Sequence, residues 1–258
     1  MCRSYGCLRQ FAAVVYLPLA VWIVLAEKPY IGLWQIVLMI GSTLAHLSFF
    51  IVLQKGYKKG DLSLVYPVAR GTGPFLTCIL AIVFFHEKPS VWTIAGTCFI
   101  VLSVLFFTGG LKKLTTSESL IPILYGLATG VIISGYTLLD KGAVSTWLVP
   151  PLLLDFFNTV GRLVILTPFA IKNWSEVRYE WKTHKKEAAG VGICNSLAYI
   201  LALSVMASAP VSSVAPIREI SILIGTIMGT VFLSEGFGKQ RIAAAAVMVI
   251  GVVSVALG

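Results

Sequence analysis

The fold of this chain is decided by stretches such as residues Leu62 to Phe85, which read LSLVYPVARGTGPFLTCILAIVFF and contain one charge, Arg70. About 20 apolar residues of α-helix are enough to cross the hydrocarbon core of a bilayer. A transmembrane β-strand instead alternates apolar and polar residues over about 10 positions, whereas this stretch is almost continuously apolar. It therefore predicts a membrane-spanning α-helix.

The rest of the 258-residue chain has the same character. Hydrophobic residues make up 57% of it and charged residues 12%, against about 25% in an ordinary soluble domain, and the mean hydropathy is +0.90. A soluble domain needs a polar surface, which this composition cannot supply. The net charge of +9 does not indicate nucleic acid, because the basic residues lie in short gaps between apolar runs, where they act as orientation signals.

We predict an all-α fold, a polytopic membrane helical bundle with nine spans. The 30 residues from Ala188 to Ile217 carry no charge. They are too long for one span, and Pro210 is the natural break because proline interrupts helical hydrogen bonding. The predicted spans are Gln10–Ala26, Pro29–Gln54, Leu62–Phe85, Pro89–Leu111, Ser119–Leu139, Val149–Ile171, Ala188–Ala207, Val211–Leu233 and Ile242–Gly258.

Two parts of the chain resemble each other. The segments Leu62–Pro67 and Val211–Pro216 align at an offset of 149 residues, and the spans that follow run to Glu87 and Glu235. The match predicts a first repeat of four helices in residues 1–111.

The second predicted repeat covers residues 119–258 and has five helices. At the same offset, the partner of the span Ser119–Leu139 falls upstream of Met1. We therefore expect a four-plus-five arrangement from a five-plus-five plan. An odd number of spans in the plan gives two inverted repeats, as in many secondary transporters.

The basic residues outside the spans predict the orientation. Fourteen of them lie on one side and three on the other, namely Lys28, Lys88 and Lys141. This bias places the N-terminus in the cytoplasm and the C-terminus outside. The charged connection Lys172–Glu187 then faces the cytoplasm, either as a solvated loop or in contact with anionic lipid headgroups. The expected location is the cell membrane, most simply a bacterial inner membrane.

The string GDLSLVYPVARG at residues 60–71, with the span-ending Glu87, resembles the first repeat of an EamA-type transporter of the drug/metabolite transporter superfamily. Ala209-Pro210-Val211, Arg218-Glu219 and Glu235 resemble the second repeat. The resemblance implies ten helices in two inverted repeats, a central cavity and alternating access. It also implies a small metabolite or drug-like solute, often moved outward. The chain departs from this pattern in lacking the first helix and in the predicted position of its C-terminus.

Polar residues inside the spans are the candidate substrate-binding residues. A charge at the centre of a membrane helix costs about 2.5–3.5 kcal/mol on insertion scales, so it usually faces the bundle interior and is functional. Three arginines against two acids suggest a solute with a carboxylate or phosphate. The candidates are Arg70, Tyr66, Tyr136, Asp155, Asn158, Arg162, Arg218, Glu219, His46 and Asn195.

Each candidate also has a structural interpretation. Asp155, Asn158 and Arg162 share a helix face by their spacing, and Asp155 could instead neutralise Arg162 or Arg70. His46 and Asn195, which correspond at the repeat offset, could form interhelical hydrogen bonds. We expect Pro67 and Pro216 to loosen their helices just before Arg70 and Arg218.

Glu87 and Glu235 end their spans beside basic residues and are predicted anchors at the headgroup level. No catalytic or nucleotide-binding motif is present in the sequence, and no Cys or His spacing typical of a metal site occurs. We therefore expect no enzyme activity, no cofactor and no metal.

The expected partners are a small-molecule substrate and the lipid bilayer. The sequence leaves the oligomeric state open. It favours a secondary transporter, for which Asp155 and Glu219 are the protonatable candidates if transport is proton-coupled efflux. The alternative is a non-transporting truncated remnant or accessory membrane subunit.

Overall fold

The computed structural model describes residues 12–59, 62–107, 120–224, 228 and 239–258. Over these ranges the secondary structure is helical, with no β-strand. The helices are α1 (Ala12–Ala26), α2 (Leu33–Lys59), α3 (Leu62–Phe85), α4 (Val91–Phe107), α5 (Leu120–Ser145), α6 (Pro151–Lys172), α7 (Trp174–Ser208), α8 (Val211–Ile217) and α9 (Lys239–Ala256).

Five helices are long and apolar enough to cross a membrane: α2, α5, α6, and the stretches Val68–Phe85 and Trp181–Ser208 of α3 and α7. Shorter apolar helices occupy Ala13–Ala26, Val91–Val104 and Ala243–Ala256. The prediction of an all-α membrane bundle is confirmed. The end of the predicted span Val211–Leu233, including Leu233, lies outside the described residues, as does Glu235.

The helix that begins at Val211 is interrupted where the sequence predicts it. Helix α8 contains Pro216 and ends at Ile217, and helical structure resumes at residues 220–224. Through the break the backbone forms the tighter bonds of a 3₁₀ turn: the N–H of Glu219 donates to the carbonyl of Pro216 at 3.0 Å. Pro67, in contrast, lies within the continuous helix α3.

Two predicted boundaries are wrong. The fifth span was predicted to end at Leu139, but α5 continues to Ser145 and contains Asp140 and Lys141. Lys141 is buried, and its ammonium donates to the carbonyl of Met206 at 2.7 Å. It is therefore not an exposed loop residue that signals orientation, because its ammonium is buried and hydrogen-bonded inside the protein.

The connection Lys172–Glu187, predicted as a loop, is largely helical. Helix α7 begins at Trp174 and bends at His184, where φ is −128° and ψ is 30°. Lysine, arginine and glutamate are good helix formers, and Val177 and Trp181 pack with Ala170 and Ala188 across the bend. The charged connection is thus mostly a helix of its own, joined to the membrane helix by the kink at His184.

The described chain divides into two compact units. The first comprises Met1–Leu47 and Leu139–Ser208. Within it the hydroxyl of Tyr16 on α1 donates to the carbonyl of Ile193 on α7 at 3.1 Å. Helices α2 and α6 approach closely at Gly161, where a Cβ atom would lie 2.7 Å from the methyl group of Thr43.

The second unit comprises Ser48–Leu138 and Ala209–Gly258. Its core packs Ile100 and Val104 of α4 with Met248 of α9. The two helices meet at Gly96 and Gly251, where a Cβ atom added to Gly96 would lie 2.5 Å from the carbonyl oxygen of Gly251. Each unit contains segments from both predicted repeats, whose boundaries remain a prediction from the sequence.

Glu87, a predicted headgroup anchor, also contacts the start of α8 in this second unit. Its carboxylate accepts hydrogen bonds from the backbone N–H groups of Val211, at 2.8 Å, and Ser212, at 3.0 Å. The first N–H groups of a helix have no partner within the helix. Glu87 therefore supplies the acceptors that α8 needs at its start.

Candidate functional site

Arg70 and Glu219 form an ion pair in the second unit. The Nη1 of Arg70 lies 3.0 Å from the Oε1 of Glu219. The Nε of Arg70 donates to the hydroxyl of Tyr66 at 3.2 Å, and the guanidinium lies 5.5 Å from the centre of that ring. Because Tyr66 precedes Arg70 by one helical turn on α3, the two side chains share a face.

This group has one open side and one buried side. The side chain of Arg70 is 35% exposed, whereas that of Glu219 is 5% exposed. The Oε2 of Glu219 is buried and has no hydrogen-bond partner among the described residues. A buried carboxylate oxygen without a donor is costly, so this atom is available to a further donor.

Arg218 and Tyr136 complete the group, which we name the Arg70 cluster (Tyr66, Arg70, Tyr136, Arg218 and Glu219). Arg218 is half-buried in the break that follows α8. Tyr136 is 9% exposed, lies near Arg70 and packs edge-on against Phe49, with ring centres 6.0 Å apart. Five predicted site residues are therefore in one unit.

A second polar group lies in the first unit, around Asp140. The carboxylate of Asp140 is fully buried and accepts hydrogen bonds from the hydroxyls of Ser42 and Tyr199. The Nε2 of His46 lies 3.9 Å from its Oδ2. These side chains come from α5, α2 and α7, so they link three helices.

Asn158 of α6 joins the same group. Its Nδ2 donates to the hydroxyl of Ser42 at 2.9 Å. The hydroxyl of Thr43 lies 2.8 Å from the Oδ1 of Asn158 and 2.8 Å from the carbonyl oxygen of Met39, so it can donate to either. We name Ser42, Thr43, His46, Asp140, Asn158 and Tyr199 the Asp140 network.

Asp155 and Arg162 flank Asn158 on α6. The Nε of Arg162 donates to the carbonyl of Asn158 at 3.1 Å, and its Nη2 donates to Thr159 at 3.2 Å. Asp155 is buried, forms a hydrogen bond with Ser196 and interacts with the charge of Arg162. Arg162 is thus a charged neighbour of Asp155, while Arg70 pairs with Glu219.

Asn195 is a predicted site residue outside both groups. Its side chain is exposed, and the neighbouring Ser196 is the buried one that contacts Asp155. His46 and Asn195 occupy corresponding positions in the predicted repeats, but the structure gives them different surroundings.

Several residues of the Asp140 network were missed in the sequence. The predicted span ends at Leu139 and so excludes Asp140, although the small and apolar Gly142-Ala143-Val144 continue the helical pattern after it. That continuation is a signal that could have identified Asp140. Ser42, Thr43 and Tyr199 carry no such signal, since hydroxyl residues are common in membrane helices. Among the residues that the structure describes, no cluster of acidic, His and Cys side chains could hold a metal ion.

Comparison with known proteins places the chain in a family. A model of the EamA-like transporter family matches residues 7–109 and 120–257. A solved structure titled "Crystal structure of protein" has a TM-score of 0.77 and 14% identity, covering 99% of this chain and 88% of that chain, which shows a shared fold. No curated protein sequence matches the chain significantly. Because the family model covers nearly the whole sequence, as the resemblance predicts, the chain belongs to the EamA-like transporter family, whose members are multi-pass membrane transporters of small solutes.

Proposed function

We propose that this protein is a secondary transporter that moves a small metabolite or drug-like solute by alternating access. We place the binding of the solute's polar end at the Arg70 cluster. The observation that carries this proposal is the half-open ion pair: Arg70 is 35% exposed, while Glu219 is buried.

The guanidinium of Arg70 can bind more than its protein partners. It has five N–H donors in a planar fork, and contacts with Tyr66 and Glu219 occupy its Nε and Nη1. An exposed guanidinium matches a carboxylate or phosphate by paired hydrogen bonds. Arg218 adds a second positive charge beside the pair. The proposed solute therefore carries an anionic group.

Glu219 supplies a second contact for the solute, through a donor group. Its Oε2 is buried and lacks a donor among the described residues, so an ammonium or hydroxyl group of the solute would satisfy it. A solute with adjacent anionic and donor groups, such as an amino acid, would complement both members of the ion pair. We propose the cell membrane as the location and outward movement as the direction.

Counterflow in proteoliposomes tests this proposal. Vesicles loaded with one unlabelled solute are diluted into the same radiolabelled solute, using a panel of amino acids, an organic phosphate and an organic cation. We expect transient uptake of at least one solute with an anionic group. Uptake of the cation alone, or of none of the panel, would contradict the proposal.

A matched pair of arginine variants locates the site. Arg70→Gln should raise the KM for that solute at least tenfold, since a charge-assisted hydrogen bond contributes about 1.5–3 kcal/mol. Arg178→Gln is the control, because Arg178 is exposed on the charged part of α7. An unchanged KM in Arg70→Gln would show that the solute binds elsewhere.

A further inference from the structure

We propose that Asp140 and His46 form a proton-binding site and that its occupancy drives solute movement. The inference builds on the proposed function, since it supplies the coupling ion for that transporter. It assigns the proton to the Asp140 network rather than to Asp155 or Glu219.

The geometry of His46 fixes where the proton binds. Its Nδ1 lies 2.9 Å from the carbonyl oxygen of Ser42, and a carbonyl only accepts, so Nδ1 carries a hydrogen and donates it. In the neutral ring the lone pair is then on Nε2. That nitrogen lies 3.9 Å from the Oδ2 of Asp140. A proton bound at Nε2 therefore faces a carboxylate.

Tyr199 positions both members of the pair. Its hydroxyl donates to the Oδ2 of Asp140. Its ring lies edge-on to the imidazole of His46, with centres 5.4 Å apart and an interplanar angle of 84°. Ser42 holds the other carboxylate oxygen. The pair is thus fixed by contacts from α2 and α7.

Other charged groups near the pair have defined contacts. Lys141, next to Asp140 on α5, donates to the carbonyl of Met206 at 2.7 Å. On α6, Arg162 bonds the carbonyl of Asn158 and the hydroxyl of Thr159, and Asp155 interacts with Arg162 and Ser196. On α7 the group that contacts the pair is Tyr199.

Asp155 and Glu219 each interact with an arginine. Arginine stays charged in proteins, so protonation of Asp155 or Glu219 would remove a negative charge that interacts with it. Asp140 faces an imidazole that itself titrates. A proton on this pair is shared between two groups that can both release it.

Proton binding changes the charge of the pair by one unit. With an ionised carboxylate and a neutral imidazole the net charge is −1, and one added proton makes it zero. The proton comes from hydronium on one side of the membrane and leaves to water on the other, without oxidation or reduction. Since buried charge is costly in a membrane, the two charge states favour different conformations, and occupancy shifts their populations.

Infrared difference spectroscopy measures protonation of the Asp140–His46 pair in the absence of solute. Spectra of the purified protein are compared between about pH 5 and about pH 8, where histidine titrates. We expect a pH-dependent carboxyl or imidazole signal that disappears in Asp140→Asn and persists in the matched variant Asp155→Asn. Tyr199→Phe keeps the site and should change the frequency of that signal, because the carboxylate loses one hydroxyl donor.

Transport then tests the coupling. With the solute identified by counterflow, a pH gradient should drive its accumulation in wild-type vesicles, and Asp140→Asn should reduce that accumulation at least about tenfold. An unchanged spectrum in Asp140→Asn and Tyr199→Phe, or no response of the wild type to the gradient, overturns the inference. Counterflow that fails for every solute while the Asp140 signal persists contradicts the proposed function and leaves the proton site standing.

Discussion

Arg70 and Glu219, which form an ion pair at 3.0 Å, are 149 residues apart in the sequence. This separation equals the offset at which Leu62–Pro67 aligns with Val211–Pro216. The pair therefore joins corresponding positions of the two predicted repeats, one carrying the positive charge and the other the negative charge. A fusion of two similar halves that later diverged at this position would produce such a pair.

Arg70 and Glu219 should stabilise the folded protein only when both are present. Removing one member of a fully buried ion pair costs about 3–5 kcal/mol, and the cost here is smaller because the remaining Arg70 is 35% exposed. We expect Glu219→Gln to lower the thermal unfolding midpoint in detergent, and the swapped variant Arg70→Glu/Glu219→Arg to recover part of the loss. Glu27→Gln is the control, since Glu27 is exposed. Equal midpoints for Glu219→Gln and Glu27→Gln would show that the pair contributes nothing.

The contact between α4 and α9 should not tolerate a side chain at Gly96. The Cβ atom of Gly96→Ala would lie 2.5 Å from a backbone oxygen, which cannot rotate away. Overpacking of this kind costs about 1–3 kcal/mol, and the loss should appear in denaturant unfolding. Gly135→Ala is the matched control, because no atom lies within 4 Å of its added Cβ. That variant should be neutral or stabilising, by up to about 1 kcal/mol.

Removal of the Glu87 carboxylate should loosen the start of α8. The backbone N–H groups of Val211 and Ser212 would lose their acceptor, at a cost of about 0.5–2 kcal/mol by analogy with other helix caps. Hydrogen exchange measured by mass spectrometry should be faster in the peptide that contains these residues in Glu87→Ala than in wild type. Glu87→Gln keeps one acceptor oxygen and should have an intermediate rate. Exchange that does not change in Glu87→Ala would contradict the cap.

Membrane-impermeant thiol labelling checks the corrected topology. With Lys141 inside the protein, the less basic side keeps Lys28 and Lys88, so the charge bias is stronger than the sequence count suggests. In a background without cysteine, Lys88→Cys should label from outside intact cells and Lys182→Cys only after permeabilisation, whereas Lys141→Cys should resist labelling in both. Labelling of Lys182→Cys in intact cells would reverse the predicted orientation.

The sequence predicts most of the helices because each span is a long apolar run, and it predicts the break before Arg218 because Pro216 removes a backbone donor. The sequence does not predict that Asp140 lies inside a helix, because the spans are defined as stretches without charged residues. The hydrogen-bond partners of Asp140, Ser42 and Tyr199, are distant in sequence and give no local signal. The helix within Lys172–Glu187 was missed for a related reason. Its stability comes from contacts of Val177 with residues on either side, which charge alone does not reveal.

Hydrogen bonds connect helix α7 to neighbouring helices at three successive positions along its axis. The carbonyl of Ile193 accepts from Tyr16, the hydroxyl of Tyr199 donates to Asp140, and the carbonyl of Met206 accepts from Lys141. An axial slide by one turn, about 5.4 Å, would break all three bonds in a medium that offers no water to replace them. Helices α1, α5 and α7 therefore keep a fixed register, and within this unit any large displacement must carry them as a single body.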